Sequence, residues 1–369
     1  MITPASNPTP GDQRLTLIER ARHAVLEAGE TAPTPWLAPA IERSWRRCLA
    51  MGQRPQQRVE FEPVSPGDIR IAQDASRPLL QAASPVVRTL SRAMVHSRYF
   101  AILTDARGTV IEVDGPVDRS NPKAAAIARV GVDLSEAAVG TTAIGTTLTD
   151  LEPVWLHRGE HFFRDTGMFS CAGAPIWGPD GHCVGMLDLT GIDVTEQPAL
   201  KHLVTQSARS IENALTTSRP HRLLLRLNWP GRVLGDDNDG LVCVDGDGGI
   251  TGANRAAADM LGLVPRQGTM HCADLFAIPT DSLFDAARQH RPAFEVPLWS
   301  GLRLQLLAQG PGRVCGAARP SSHSMPLKDV EAALIRRAVE DARGNVMEAA
   351  RALGISRATV YRKLTRKKA

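Results

Sequence analysis

The sequence predicts an α+β protein: two domains in which a sheet carries helices, followed by a small all-α unit. Three observations carry that expectation. Three segments each join two short apolar runs through an Asp/Gly turn, the pattern of antiparallel hairpins. Amphipathic helical stripes lie between and beyond them. Residues 325–369 hold only short helical stripes separated by Gly turns. A chain of 369 residues has room for two or three domains at roughly 100–200 residues each.

The elements follow in order. The opening MITPASNPTPGD is rich in Pro, Ser and Asn and is expected to fray. From Arg14 the pattern turns helical, with Leu15, Ile18, Val25 and Leu26 near one face. Ile41, Trp45, Cys48 and Leu49 mark a second helix, closed by Gly52. A third stripe runs through Leu79, Leu80, Ala83, Val86, Val87, Leu90 and Met94, and Pro85 within it is expected to kink or split the helix. Residues 1–78 are read as a helical lead segment. The hairpins run from Phe100 to Val113, from Ala174 to Leu189 and from Leu241 to Ile250. Their turns lie at Asp105–Gly108, Asp180–Gly181 and Asp245–Gly248. Leu200, Leu203, Val204, Ala208, Ile211 and Leu215 give a multi-turn amphipathic helix, long enough to pair with a dimer mate. The first sheet domain is placed at 79–218, the second at 235–310, and a Gly/Pro/Ser-rich linker at 311–324.

The C-terminal unit, 325–369, carries the sharpest pattern. Leu327, Val330, Leu334, Ala338 and Val339 stripe one helix, and Gly344 ends it. Asn345 can cap a second helix that turns Val346, Ala349, Ala350 and Leu353 inward. Gly354-Ile355 makes a turn, and Ser356 caps a third helix with Val360 and Leu364 on its core side. Two short helices crossing at small residues around a Gly turn form a helix-turn-helix. Ser356, Arg357, Ala358 and Thr359 at the start of the third helix would meet base edges or phosphates of double-stranded DNA. Tyr361, Arg362, Lys363, Arg366 and Lys367 follow along it. Arg suits guanine bidentately and Lys suits phosphate. Residues 349–369 contain seven Lys/Arg and no acid, so the remaining chain keeps 36 basic against 39 acidic residues.

Composition excludes several classes. No apolar run approaches the roughly 18 residues of a membrane span. The first twenty residues have no apolar signal region, so a cytoplasmic location is expected. The six cysteines are scattered without a CxxC pair, which argues against a disulfide scaffold or zinc finger. No GxxxxGK[ST] phosphate loop occurs and no nucleophile–base set is readable, so neither enzyme activity, cofactor nor metal is expected.

Several runs resemble one family. Gly344-Asn-Val-Met-Glu-Ala-Ala-Arg-Ala-Leu-Gly-Ile-Ser-Arg-Ala-Thr-Val-Tyr-Arg-Lys-Leu364 is similar to the Fis-type helix-turn-helix of bacterial enhancer-binding regulators. Ile41-Glu-Arg-Ser-Trp-Arg-Arg-Cys48 resembles the leading segment of the acetoin/glycerol-catabolism regulators. Leu134-Ser-Glu-Ala-Ala-Val-Gly-Thr-Thr-Ala-Ile-Gly-Thr146, Ser170-Cys-Ala-Gly-Ala-Pro-Ile176 and Gly185-Met-Leu-Asp-Leu-Thr-Gly191 resemble their GAF-domain signature, with Thr142 standing where the family usually has Asn. Asp239 to Gly262 resembles the opening of a PAS domain. The resemblance implies GAF-like and PAS-like sensor domains, then an all-α Fis-type domain. It also implies a homodimer, a small-molecule effector and RNA polymerase as a candidate partner. Sigma-54 activators of this group carry an ATPase of more than two hundred residues before the Fis-type unit; here about fifteen residues separate the PAS-like region from it. Action by contact or occlusion, without ATP hydrolysis, is therefore expected. The alternative is a non-catalytic adaptor acting as co-regulator of another transcription factor.

The ligand site is expected in the GAF-like cavity, lined by Phe100, Thr142, Trp155, His161 and Cys171. His157 and His161 with Cys171 could suggest a metal, but no third ligand has fixed spacing. Cys171 reads more readily as a buried, inert thiol than as a redox sensor. Asp188 and Glu136 are carboxylates within the signature blocks, with nothing to pair them as acid and base.

Overall fold

The computed structural model describes residues 10–30, 32–61, 64–263, 270–311, 335–336, 338–339, 342 and 344–364. The linker at 312–324, Leu327, Val330, Leu334, Arg366 and Lys367 lie outside the described residues.

The lead segment forms α1 (Pro10–Arg22), α2 (Pro39–Ala50), α3 (Pro66–Ala75) and the start of α4 (Arg77–Met94). Helix α1 runs on into a π-helical turn, His23–Glu27. The break falls at Ser76, before Pro78, and α4 continues unbroken across Pro85. Pro85 is on the exposed side, where the carbonyl its missing N–H leaves free, that of exposed Gln81, can meet water.

The first sheet contains β1 (Tyr99–Asp105), β2 (Val110–Asp114), β3 (Val154–His157), β4 (Phe169–Trp177) and β5 (Cys183–Ile192), in the antiparallel order β2-β1-β5-β4-β3. Alternation along the strands splits its side chains between two cores. Phe100, Ile102, Leu156, Cys171 and Met186 pack with α1, α2, α5 (Pro122–Ile127), α6 (Glu136–Val139) and α7 (Ala143–Asp150). Tyr99, Ala101, Leu103, Trp155, Ala172 and Leu189 face α4 and α8 (Leu200–Thr217). The lead segment is thus part of the first domain: Ala21, Ile41, Trp45 and Cys48 are wholly buried in the same core as Phe100 and Ile102.

The second sheet contains β6 (Leu223–Asn228), β7 (Gly240–Val244), β8 (Ile250–Ala253), β9 (Phe294–Pro297) and β10 (Arg303–Gln309), ordered β8-β7-β6-β10-β9. Helices α9 (Arg255–Leu261) and α10 (Thr280–Arg288) cover it. Its central strand begins at Leu223, twelve residues before the expected start at 235, because β6 pairs with both β7 and β10.

Helix α8 lies between the sheets. Leu200, Leu203, Val204, Ala208, Ile211 and Leu215 pack on the first sheet, and the Thr216 carbonyl accepts from the Cys243 thiol of β7 at 3.2 Å. Its apolar face is therefore spent inside the chain, and no apolar stripe is left for a dimer mate as the sequence had suggested. The C-terminal unit contains α11 (Val346–Ala352) and α12 (Arg357–Leu364) around Ile335, Ala338, Ala349, Ala350, Leu353 and Val360.

Candidate functional site

Two sites follow from this architecture. At the C-terminal end, Asn345 caps α11 through the N–H groups of Met347 and Glu348. Gly344 and Gly354 take φ of +85° and +65°, a region that favours glycine. The Ser356 hydroxyl accepts from the Thr359 N–H at 3.2 Å and so caps α12. Ser356, Arg357, Ala358 and Tyr361 are exposed, Thr359 is half-buried, and Val360 points into the core. Arg362 and Lys363 belong to the same helix, though their side chains fall outside the described residues. The result is a short helix whose first turn offers hydroxyl and guanidinium groups outward from a packed base.

The second site is a small chamber in the first domain, a cavity of about 30 Å³. That is room for one or two waters. It lies on the face of the sheet that carries Ile102, Cys171, Asp188 and Thr190, under α5–α7. Of the five residues expected at a ligand site, Thr142, His161 and Cys171 line it. Phe100 and Trp155 do not. Phe100 is on the correct face, opposite Thr190, but is packed into the core. Trp155 pairs with Ala172 and so shares its face, turned toward α4 and α8. A far larger hollow, about 1500 Å³, is an open groove between α3 and the β1–β2 turn with both signs of charge along it. Phe61 lines both hollows.

The chamber's polar groups are specific. The Thr142 hydroxyl accepts the Gly145 N–H at 3.1 Å and caps α7. His161 is wholly buried on the loop after β3, not on the strand, so it and His157 do not share a strand face. Its Nδ1 lies 2.9 Å from the Arg158 carbonyl. A carbonyl can only accept, so Nδ1 carries the proton and Nε2 offers a lone pair to the Cys171 thiol at 3.6 Å. Burial lowers His161 to about 4 and pushes the Cys171 thiol up, which leaves a neutral imidazole beside an unionised thiol. Such a pair is a poor metal or redox centre. Among the described residues no group of three or more His, Cys, Asp or Glu is placed to hold a metal.

Asp188 and Thr190 were not singled out as lining residues. They stand two apart on β5, so they share the chamber face. The Thr190 hydroxyl donates to Asp188 Oδ2. Burial raises Asp188 to about 7. The sequence signal was an acid and a hydroxyl at i and i+2 within an otherwise apolar strand.

The lead helices grip the chamber from outside. Arg22, wholly buried, donates to the carbonyls of Gly159, His161 and Phe162 at 2.8, 2.6 and 2.9 Å. Trp45 Nε1 donates to the Glu160 carbonyl at 2.8 Å. Ser44 donates to Glu136 at 2.6 Å and accepts from the Thr141 hydroxyl at 2.7 Å, and Arg47 forks onto both oxygens of Glu136. Gly145 lets α7 pass close to α6, since a Cβ there would sit 2.7 Å from the Glu136 nitrogen.

The family described as MimR, N-terminal domain, matches residues 14–213, and that described as bacterial regulatory protein, Fis family, matches residues 326–366. The propane 2-monooxygenase operon transcriptional activator MimR of Mycolicibacterium goodii is 30% identical over 203 residues, covering 54% of this chain and 33% of that protein. The acetoin catabolism regulatory protein of Cupriavidus necator is 27% identical over 228 residues, covering 60% and 34%. The chain thus spans about a third of the length of the curated relatives it matches. Among solved structures, the E. coli DhaR(N)–DhaL complex aligns with a TM-score of 0.46 and 15% identity, over 74% of this chain and 99% of that one. The N-terminal match alone takes in more than half of the 369 residues, and the chain belongs to the MimR N-terminal-domain family, with a Fis-family unit at its C-terminal end.

Proposed function

We propose that this chain is a transcriptional regulator that binds double-stranded DNA as a homodimer through its Fis-type unit and senses a small molecule in the chamber of its first domain. The observation that carries the reading is the capped α11–turn–α12 unit within the Fis-family match, with Ser356, Arg357, Ala358 and Tyr361 outward. Arg357, Arg362, Lys363, Arg366 and Lys367 supply the charge for bases and phosphates. The relatives named above are an activator of a propane 2-monooxygenase operon and a regulatory protein of acetoin catabolism, which supports an effector drawn from metabolism. Two recognition helices related by a two-fold axis would read an inverted repeat with half-sites about 10 base pairs apart. The effector would act by binding two arrangements of the dimer with different affinity. The cytoplasm is the compartment this role requires. RNA polymerase is the partner for activation by contact, and no ATP hydrolysis is involved.

Fluorescence anisotropy on DNA from the protein's own promoter tests the reading. Specific binding should weaken by about tenfold or more in Arg357→Ala, the worth of one good base contact. Retained specificity in that variant, or robust ATPase activity of the purified chain, would count against it.

A further inference from the structure

A hollow of about 390 Å³ opens where the first and second domains meet, and it shares no lining residue with the chamber. Its floor is one face of α8, where Arg209, Glu212 and Asn213 follow at the three- and four-residue steps of a helix face. Trp177 of β4 borders it on one side; Trp229 and Asp237 of the β6–β7 loop and the first turn of α9 border it on the other. The two sides are tied together. Asn213 accepts from the Asn254 amide at 2.7 Å and donates to the Asp237 carbonyl at 3.1 Å, and Ser210 donates to the Asp237 carboxylate at 2.6 Å. Glu212 is only 4% exposed, and its Oε1 accepts the Trp177 N–H at 3.0 Å. One turn earlier, Arg209 donates to the Asn238 side chain at 2.8 Å. An acid and a base one helical turn apart thus border one hollow, each held by a neutral partner. Arg255 lies over the Trp177 ring, 4.6 Å from its centre. Beside these charges two large apolar side chains stay open, Leu151 at 43% and Trp229 at 42%. Leu151 also takes a φ of +55°, a conformation that is costly for a residue other than glycine and that clusters at ligand sites.

We propose that this hollow between the domains is a binding site for an α-amino acid with an apolar side chain. Small-molecule sites of a few hundred Å³ favour domain interfaces. The carboxylate of such a ligand meets Arg209 and Arg255, its ammonium meets Glu212 and Asp237, and its side chain covers Leu151 and Trp229. The ammonium and carboxylate of an amino acid stand on adjacent carbons, which suits an acid and a base one helical turn apart. An anion alone would bring a like charge to Glu212, and a cation alone would face two guanidinium groups. Burial raises Glu212 to about 7, against the pull of the Trp177 N–H, Arg209 and Arg255. A ligand ammonium beside it favours the ionised form. The ligand would touch α8, the first sheet and the second domain at once. The site does not depend on what the chamber of the first domain binds.

Calorimetric titration of the full chain tests this with phenylalanine, leucine, serine, 3-phenylpropanoate, which lacks the ammonium, and phenethylamine, which lacks the carboxylate. Phenylalanine and leucine should bind saturably, and phenylalanine roughly tenfold or more tighter than either singly charged probe. Serine leaves Leu151 and Trp229 uncovered and should bind more weakly than leucine. Glu212→Gln keeps an acceptor for the Trp177 N–H and should bring phenylalanine down to the level of 3-phenylpropanoate. Arg209→Gln, at an exposed position, should bring it down toward phenethylamine. If Glu212→Gln does not fold, Arg209→Gln and the order of the probes on the wild type decide. A singly charged probe that binds as tightly as phenylalanine, serine that binds as tightly as leucine, or phenylalanine binding unchanged in both variants overturns the proposal. So does failure of phenylalanine and leucine to bind the wild type at millimolar concentration.

Discussion

Asp188 and His161 face one chamber and titrate in opposite senses. Burial disfavours the charged form of each, raising the acid to about 7 and lowering the imidazole to about 4. Asp188 starts from 3.8 in the unfolded chain, so its protonated folded form stabilises the protein fully below that value. The contribution is lost as pH rises through about 7. His161 behaves in reverse, with stability present above its ordinary value and lost as pH falls through about 4. Comparing wild type with Asp188→Asn isolates the acid, because the histidine contributes alike to both. The melting-temperature advantage of the wild type should be largest near pH 4 and should shrink steadily toward pH 7. A gap that does not change with pH would mean that the carboxyl is ionised throughout. Thr142 caps α7, a task Thr and Asn both suit: its hydroxyl accepts the N–H of Gly145.

At the scale of elements, the lead helices are the part of the chain whose placement most changes the reading. Arg22 satisfies three carbonyls of the loop that carries His161, and its guanidinium stacks over Trp45 at 5.6 Å. Removing it in Arg22→Met leaves those carbonyls buried without donors, at a cost of about 2–4 kcal/mol. Arg14 reaches the same loop through Glu160 at 2.8 Å; its side chain is one-third exposed and Glu160, raised to about 7 by burial, can take up a proton when its partner is lost, so Arg14→Met should cost less than Arg22→Met. Urea unfolding of the two variants checks the order; similar costs would mean that burial is not what sets the value of Arg22. This integration could not be read from the stripe of Leu15, Ile18 and Val25, because periodicity tells which face of a helix is buried and not against what. The hairpins were legible because an Asp/Gly turn is a local signal: at Asp105 and Asp245 the carboxylate accepts N–H groups two and four residues on, as at Thr109 and Gly249. Strand β6 lacks that signal. Leu223-Leu-Leu-Arg-Leu-Asn228 is joined to β7 by an eleven-residue loop, so nothing nearby announced its partner. The same limit explains Trp155. Its strand was legible, but its face depended on the pairing with Ala172, which is a long-range fact.

For the whole molecule, charge and connection divide the labour. The formal +4 combines 36 basic and 39 acidic residues before Ala349 with seven basic residues and no acid from there on. An acidic body is repelled by phosphate while the terminal helix is drawn to it, so the field itself orients the encounter. Between the ends, α8 holds both sheets at once: its apolar face closes the first core, and Asn213 and Thr216 bond Asn254 and Cys243 of the second. The two sheets are therefore joined through one helix whose side chains bond to both. The charge argument makes a claim separate from base recognition. If Arg362 and Lys363 contact phosphates, Arg362→Ala and Lys363→Ala should weaken binding to every DNA sequence alike, and each should flatten the plot of log affinity against log salt by about 0.9. Arg357→Ala, at the start of the same helix, should instead lower the ratio of specific to non-specific affinity, as loss of a base-edge contact does. Titrations at several salt concentrations on operator and scrambled DNA separate the two effects. If Arg362→Ala changed specificity and left the salt slope alone, α12 would have to lie in the groove at a different rotation, with its second turn rather than its first against the bases.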